Sequence, residues 1–285
     1  MLNSLPIRLF VSLWIWSAIL VAFLLTTVAQ VLQWIFLWPL FLISRAHRMQ
    51  ITGSTLRFFC AAAGFFLNPF WRLQIVRPPP KGYQPSKTII MVNHLSAVDP
   101  WLTASAIFPW EMKWVYKGDL RKVPFAGWSL LSTGDLPVFF TKEKGGWGTQ
   151  KDAITAMFRQ VKENMELGIG CVVFPEGTRS RKGRLQPFKP GFFKFAVDNP
   201  GVEILPCVLH NSPSLWPLNS KLFNPGTAYF AFGDPIVVQP GETVENLQAQ
   251  VNKFMLELFN ECPLYDAETE QPLTELAPSR GSRLT

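Results

Sequence analysis

Two hydropathy regimes divide the chain: an unbroken apolar opening, then short apolar runs alternating with one-sided helical stripes. Residues 9–29 carry no charge, and only Ser12, Ser17, Thr26, Thr27 and the indole groups of Trp14 and Trp16 are polar there. As a helix this run covers about 30 Å, the hydrocarbon thickness of a bilayer. It resumes past Gln30 and Gln33 and reaches Ile43, so a continuous helix must tilt, bend at Pro39 or leave the hydrocarbon. A second apolar stretch, residues 58–67, is too short to span and suits an interfacial or re-entrant helix. The tryptophans at 14, 16, 34, 38 and 71 are expected at headgroup level.

Beyond residue 70, buried strands are predicted over 72–76, 88–92, 113–116, 136–140, 170–174, 202–208 and 227–232. Helices are predicted over 100–108, 125–132, 150–167, 191–197 and 244–259. In the third of these, Ala153, Ile154, Met157, Phe158 and Val161 make one apolar stripe. The alternation defines an α/β fold, a mixed sheet flanked by helices, preceded by an N-terminal membrane-embedded helical segment. The expected division is 1–70 as membrane-anchoring helices, 71–262 as a catalytic domain and 263–285 as a disordered polar tail. Pro78-Pro79-Pro80-Lys81-Gly82 reads as a stiff turn near the start of that domain.

Composition adds three constraints. A formal net charge of +7 favours an acidic partner: phosphate groups, anionic lipid or nucleic acid. Nucleic acid is disfavoured by the apolar segment and by the lack of interleaved basic and aromatic residues. Cys60, Cys171, Cys207 and Cys262 are scattered, as buried free thiols are in a reducing compartment, and the three histidines lack metal-ligand spacing. The apolar run is too long for a signal peptide, and Thr27-Val28-Ala29 is a poor cleavage site inside further apolar sequence. Arg45, His47, Arg48 and Arg57 follow the first segment, whereas only Arg8 precedes it, which places the remainder on the cytosolic side of a membrane.

Candidate chemistry lies at the ends of two predicted strands. Asn93-His94-Leu95-Ser96-Ala97-Val98-Asp99 follows the 88–92 run, with Asp99-Pro100 expected as N-cap and first residue of a helix. A carboxylate beside His94 would fix the imidazole tautomer and stabilise an imidazolium, as a general base requires. Phe174-Pro175-Glu176-Gly177-Thr178-Arg179-Ser180 follows the other run. Arg179 offers a planar fork suited to phosphate, and Glu176 is expected to orient it or a substrate hydroxyl. Ligands of open α/β sheets sit at such strand ends. The chain has no G-x-S-x-G elbow and no P-loop, so neither a serine hydrolase nor a P-loop nucleotide enzyme is indicated. A structural His–Asp pair in a membrane lipid-binding protein is the alternative reading.

These two motifs, in this order and behind an apolar amino terminus, resemble the glycerolipid acyltransferase family, in particular the 1-acyl-sn-glycerol-3-phosphate acyltransferases. The resemblance runs from about residue 85 to 235. It implies transfer of an acyl chain from acyl-CoA, or acyl carrier protein in some members, to the sn-2 hydroxyl of lysophosphatidic acid. No cofactor or metal is implied. By it His94 is the general base and Asp99 its orienter, while Glu176, Gly177, Thr178 and Arg179 bind the acceptor. Lys117-Gly118-Asp119-Leu120 with Pro124 and Gly127 resembles a further block, and Leu205-Pro206 the last. The family's middle block ends in arginine, whereas this chain reads Gly134-Asp135-Leu136-Pro137-Val138-Phe139-Phe140-Thr141-Lys142; Lys142 and Lys117 join the expected phosphate-binding set. The expected setting is the endoplasmic-reticulum membrane. Transacylation, or transfer to another lysophospholipid, is the alternative within the class.

Overall fold

The structure, a computed structural model, describes residues 4–143, 146–149, 151–181 and 183–266. The apolar opening forms one 39-residue helix, α1 (Leu5–Ile43), with Pro39 inside it. Thr26 and Thr27 satisfy their hydroxyls on Ala22 O (2.7 Å) and Phe23 O (2.9 Å), so they do not interrupt the helix. Ser44 accepts from His47 N and caps α2 (Arg45–Ala61). A π-helical turn, Ala62–Phe66, follows directly. The 58–67 stretch is therefore not a separate interfacial helix. It is the last turn of α2 and this π turn, because nothing in 45–57 breaks the helix before it.

The strands of the main sheet are β1 (Trp71–Arg77), β2 (Thr88–Val92), β3 (Lys113–Lys117), β4 (Leu136–Val138), β7 (Cys171–Val173), β8 (Glu203–His210), β9 (Gly226–Phe232) and β10 (Ile236–Val237). Their order is β1-β9-β8-β2-β7-β3-β4, with β10 beside β8. The β8–β9 and β10–β8 pairs are antiparallel and the others parallel, so the sheet is mixed. The predicted 136–140 strand is divided: β4 stays in the sheet, while β5 (Phe140–Glu143) turns away to pair with β6 (Gly146–Thr149). The short β10 carries too few residues to show a pattern, and the sequence reading misses it.

The helices are α3 (Asp99–Ile107), α4 (Ala126–Thr133), α5 (Lys151–Glu166), α6 (Gly191–Val197), α7 (Ser212–Leu215) and α8 (Val244–Asn260). Alternate strand positions face opposite sides of the sheet. Ile89, Met91, Cys171, Val173, Ile204 and Val208 face α5, α6 and α8. Ile90, Val92, Val172, Leu205, Cys207 and Leu209 face α3 and, with it, Val11 and Ile15 of α1. α1 is thus a structural layer of the sheet, each buried aliphatic side chain being worth about 1.5–3 kcal/mol. Polar contacts reinforce the seat: Phe223 N donates to Ser12 Oγ (2.8 Å) and Trp16 Nε1 to Lys221 O (3.2 Å).

Trp71 corrects the headgroup expectation. It is 2% exposed, its Nε1 donates to Asn224 O (3.1 Å), and its ring packs edge-on against Phe223. Trp14, Trp16, Trp34 and Trp38 remain exposed along α1. All four cysteines are free, and Cys171, Cys207 and Cys262 are buried.

Buried charges hold α2 to the sheet. Arg57 pairs with Asp135, which also accepts from Trp114 N and Thr133 Oγ1, both at 2.8 Å. Lys113 Nζ reaches Met49 O (2.8 Å) and Glu111 Oε1 (2.7 Å). At the other end Tyr265 still stacks on Phe259, so the chain stays attached to α8 through that residue. The tail expected beyond it, 267–285, lies outside the described residues.

Candidate active site

β2 and β7 are parallel neighbours, with Ile90 opposite Val172 and Met91 opposite Val173. Their carboxyl ends therefore coincide, and the two polar motifs emerge side by side. Hydrogen bonds lock them together. Glu176 Oε1 accepts from His94 N (2.6 Å), and Ser180 N donates to His94 O (2.8 Å), so both peptide groups of His94 are held by the second motif. Asn93 anchors the same loop to β8, donating to Leu209 O (2.9 Å) and accepting from Leu209 N (2.7 Å).

Asp99 does not cap α3 from outside, as the sequence suggested. Val98 is the cap and Asp99 the first helical residue. Its side chain turns back to the loop, where Oδ2 accepts from Leu95 N (2.6 Å), Ser96 N (2.8 Å) and His94 Nδ1 (2.7 Å). A cap serves its own helix; here three groups before the helix compete for the carboxylate and win it. Asp99 is fully buried, while the His94 side chain keeps 17% of its surface exposed. A neutral imidazole that donates Nδ1–H to a carboxylate carries its lone pair on Nε2, the arrangement a base needs.

Phe174 completes the positioning of His94, and the sequence reading missed its role. Its ring lies on the imidazole at 4.2 Å and 16°. The carboxylate fixes the direction of Nδ1; the stack fixes the plane of the ring.

Glu176 bonds the two loops together, and none of its hydrogen bonds goes to Arg179 as expected. Its second oxygen accepts from Gln186 N (2.9 Å) and Gln186 Nε2 (3.2 Å). Burial pushes its carboxyl up to about 7, against the bonds from His94 and Gln186 and with a smaller push from the Asp99 charge. Gly177 has φ of 70° and its N–H closes a turn on Phe174 O (3.0 Å), a conformation that favours glycine. Thr178 and Arg179 are exposed, and Arg179 makes no ion pair among the described residues. Lys117 lies at the carboxyl end of β3, two strands from β2, exposed and paired with Asp119 (3.0 Å). Lys142 lies outside the main sheet, opposite Trp147 in the β5–β6 hairpin. The structure thus gathers His94, Asp99, Glu176 and Gly177 into one unit, sets Thr178, Arg179 and Lys117 on its carboxyl edge, and leaves Lys142 on a separate ribbon. Among the described residues no group of His, Cys, Asp and Glu is placed to hold a metal.

Residues 79–210 match the family model described as Acyltransferase. A 1-acyl-sn-glycerol-3-phosphate acyltransferase of Borreliella burgdorferi is 31% identical over 152 residues, 53% of this chain and 56% of that protein. One from Helicobacter pylori is 32% identical over 134 residues, 47% of this chain and 52% of that protein. The chain spans about half the length of the curated relatives it matches. The fold is that of the crystal structure of the 1-acyl-sn-glycerophosphate (LPA) acyltransferase PlsC from Thermotoga maritima. The two superpose with a TM-score of 0.61 at 20% identity, covering 91% of this chain and 98% of the other.

Proposed function

We propose that the protein transfers an acyl group from a thioester to the sn-2 hydroxyl of lysophosphatidic acid, giving phosphatidic acid for phospholipid and triacylglycerol synthesis. The observation that carries this reading is the 2.7 Å contact of His94 Nδ1 with Asp99 Oδ2, with the imidazole partly exposed. His94 Nε2 takes the acceptor hydroxyl proton as the oxygen attacks the thioester carbonyl. Asp99 and the Phe174 face stabilise the imidazolium that results, and the thiolate leaves. The thioester is already activated, so the base and correct positioning suffice and no cofactor or metal is invoked. Arg179, with Lys117 and Lys142, is assigned to the acceptor phosphate, with Thr178 beside it.

We assign acyl-CoA as the donor, and acyl carrier protein is the competing one. The setting is a membrane surface, for which the endoplasmic reticulum with the catalytic domain in the cytosol is proposed. By length and composition α1 is apolar enough to cross a bilayer. Its contacts favour another placement. Arg8 reaches Ser220 near one end and Thr27 reaches Phe125 O and Ser129 Oγ further on. Those points are about 29 Å apart along the helix, close to a full hydrocarbon thickness, so a spanning α1 would draw the polar domain into lipid. An α1 lying in the interface satisfies both its apolar outer face and its docked inner face.

The test is an assay of the purified full-length protein with acyl-CoA and with acyl carrier protein, each against a panel of lysolipids. Phosphatidic acid formed selectively from lysophosphatidic acid supports the reading. Transfer to a different lysolipid only, or no transfer from either donor, contradicts it.

A further inference from the structure

We propose that the catalytic domain carries its own bilayer-contacting surface, formed by the 3-10 turn Gly118–Lys122 and the outer face of α4. The proposal rests on the membrane reading above and extends it from the amino-terminal helices to the domain itself. α4 turns Ala126, Gly127, Ser129 and Thr133 inward and leaves Trp128 (56%) and Leu131 (57%) exposed. Leu120 (45%) and Val123 (43%), just before the helix, are exposed with them. Large apolar side chains gathered in this way on one short segment mark an interaction surface.

Continuity with α1 identifies the occupant. Thr27 Oγ1 donates to Phe125 O (3.2 Å) and lies 3.1 Å from Ser129 Oγ, so α4 is seated directly against α1. One helical turn either side of Thr27, Leu24 and Val31 are exposed as well, so the apolar faces of α1 and α4 adjoin. Any bilayer that receives the first meets the second. The charges agree. Lys117, Arg121 and Lys122 border the apolar side chains, and Asp119 is paired with two of them, Lys117 and Lys122. Arg121 lies over the Phe139 ring and bonds Tyr116 Oη, its charged head beside apolar surface. Basic heads over an apolar band, with a tryptophan among them, fit the headgroup layer of an anionic membrane. The turn also follows the carboxyl end of β3, the edge that bears His94. Seating it in the interface brings that edge to the layer where a lysolipid presents its headgroup.

The experiment uses full-length protein with Cys60→Ser, whose other thiols are buried, carrying one introduced cysteine labelled with an environment-sensitive fluorophore. Three variants are reconstituted in phosphatidylcholine–phosphatidylglycerol vesicles containing acyl-chain nitroxide lipids: Leu131→Cys on α4, Leu24→Cys on α1 and Lys194→Cys on α6. The expected result is a blue shift and loss of emission at 131 and 24, with neither at 194. Quenching at 24 without quenching at 131 overturns the proposal while leaving α1 in the membrane. A blue shift at 131 that lipid nitroxides do not quench also overturns it, and assigns the face to a second copy of the chain. Absence of quenching at both 24 and 131 removes the membrane reading itself.

Discussion

Three of the groups that hold His94 act on different degrees of freedom: Asp99 on Nδ1, Phe174 on the ring plane, and Glu176 on the backbone N–H. The last two make separate predictions. Phe174→Leu removes the stack but keeps the volume apolar, so kcat should fall about tenfold, the upper end of an aromatic pair's 0.5–1.5 kcal/mol. The Michaelis constants of both substrates should stay near their original values, and Phe174→Tyr should restore most of the rate; steady-state kinetics decides. An unchanged kcat in Phe174→Leu would make the stack mere packing. Glu176 predicts a pH dependence. Its carboxyl titrates near 4.5 when unfolded and about 7 in the fold, because burial outweighs its bonds. Between those values the folded chain keeps a proton that the unfolded chain has released, so rising pH lowers stability, by about 3 kcal/mol across the window. Glu176→Gln has no such titration. The melting temperature of the variant relative to the parent should therefore rise from pH 4.5 to 7 and level off above. A pH-independent difference would show that Glu176 is already ionised throughout.

At the scale of elements, α1 decides whether the domain can stand alone. If α1 were only an anchor, removing residues 1–44 would weaken membrane attachment and spare activity on dispersed short-chain substrates better than activity on bilayer substrates. The structure argues otherwise: Val11 and Ile15 are wholly buried in the sheet's core, and deletion would uncover Trp71 and Phe223 and strip Phe223 N of its acceptor. Removing residues 1–44 should yield protein without a cooperative unfolding transition, measured by circular dichroism and scanning calorimetry. A truncated protein that melts cooperatively near the parent's temperature would contradict this. The docking of α1 was hard to read because apolar positions facing lipid and apolar positions facing protein look alike. Its polar residues were the available signal. Ser12, Thr27, Gln30 and Gln33 all bond residues outside α1, and so mark the docked face. The strands were easier: β2 and the flanks of β7 are β-branched or apolar runs bounded by polar residues, and α5 showed in its apolar stripe.

For the molecule as a whole, the two motifs carried most of the site, because parallel pairing of β2 and β7 sets the loops at their carboxyl ends side by side. Strand pairing does not determine where individual side chains spend their hydrogen bonds. That is why Asp99 as a helix cap and Glu176 as a partner of Arg179 were both misread, and why the Phe174 stack left no trace in any periodicity. The central claim is that His94 is the base for attack of a lipid hydroxyl on a thioester. It is tested most directly by thiol release from acyl-CoA in the presence of lysophosphatidic acid, comparing the parent protein with His94→Ala at matched folding and vesicle binding. Loss of a residue acting in proton transfer typically costs about 10²–10⁴-fold. The account predicts acceptor-dependent thiol release by the parent and a kcat lower by that factor in His94→Ala, whose melting transition persists. Near-parental turnover by a folded His94→Ala protein would contradict it.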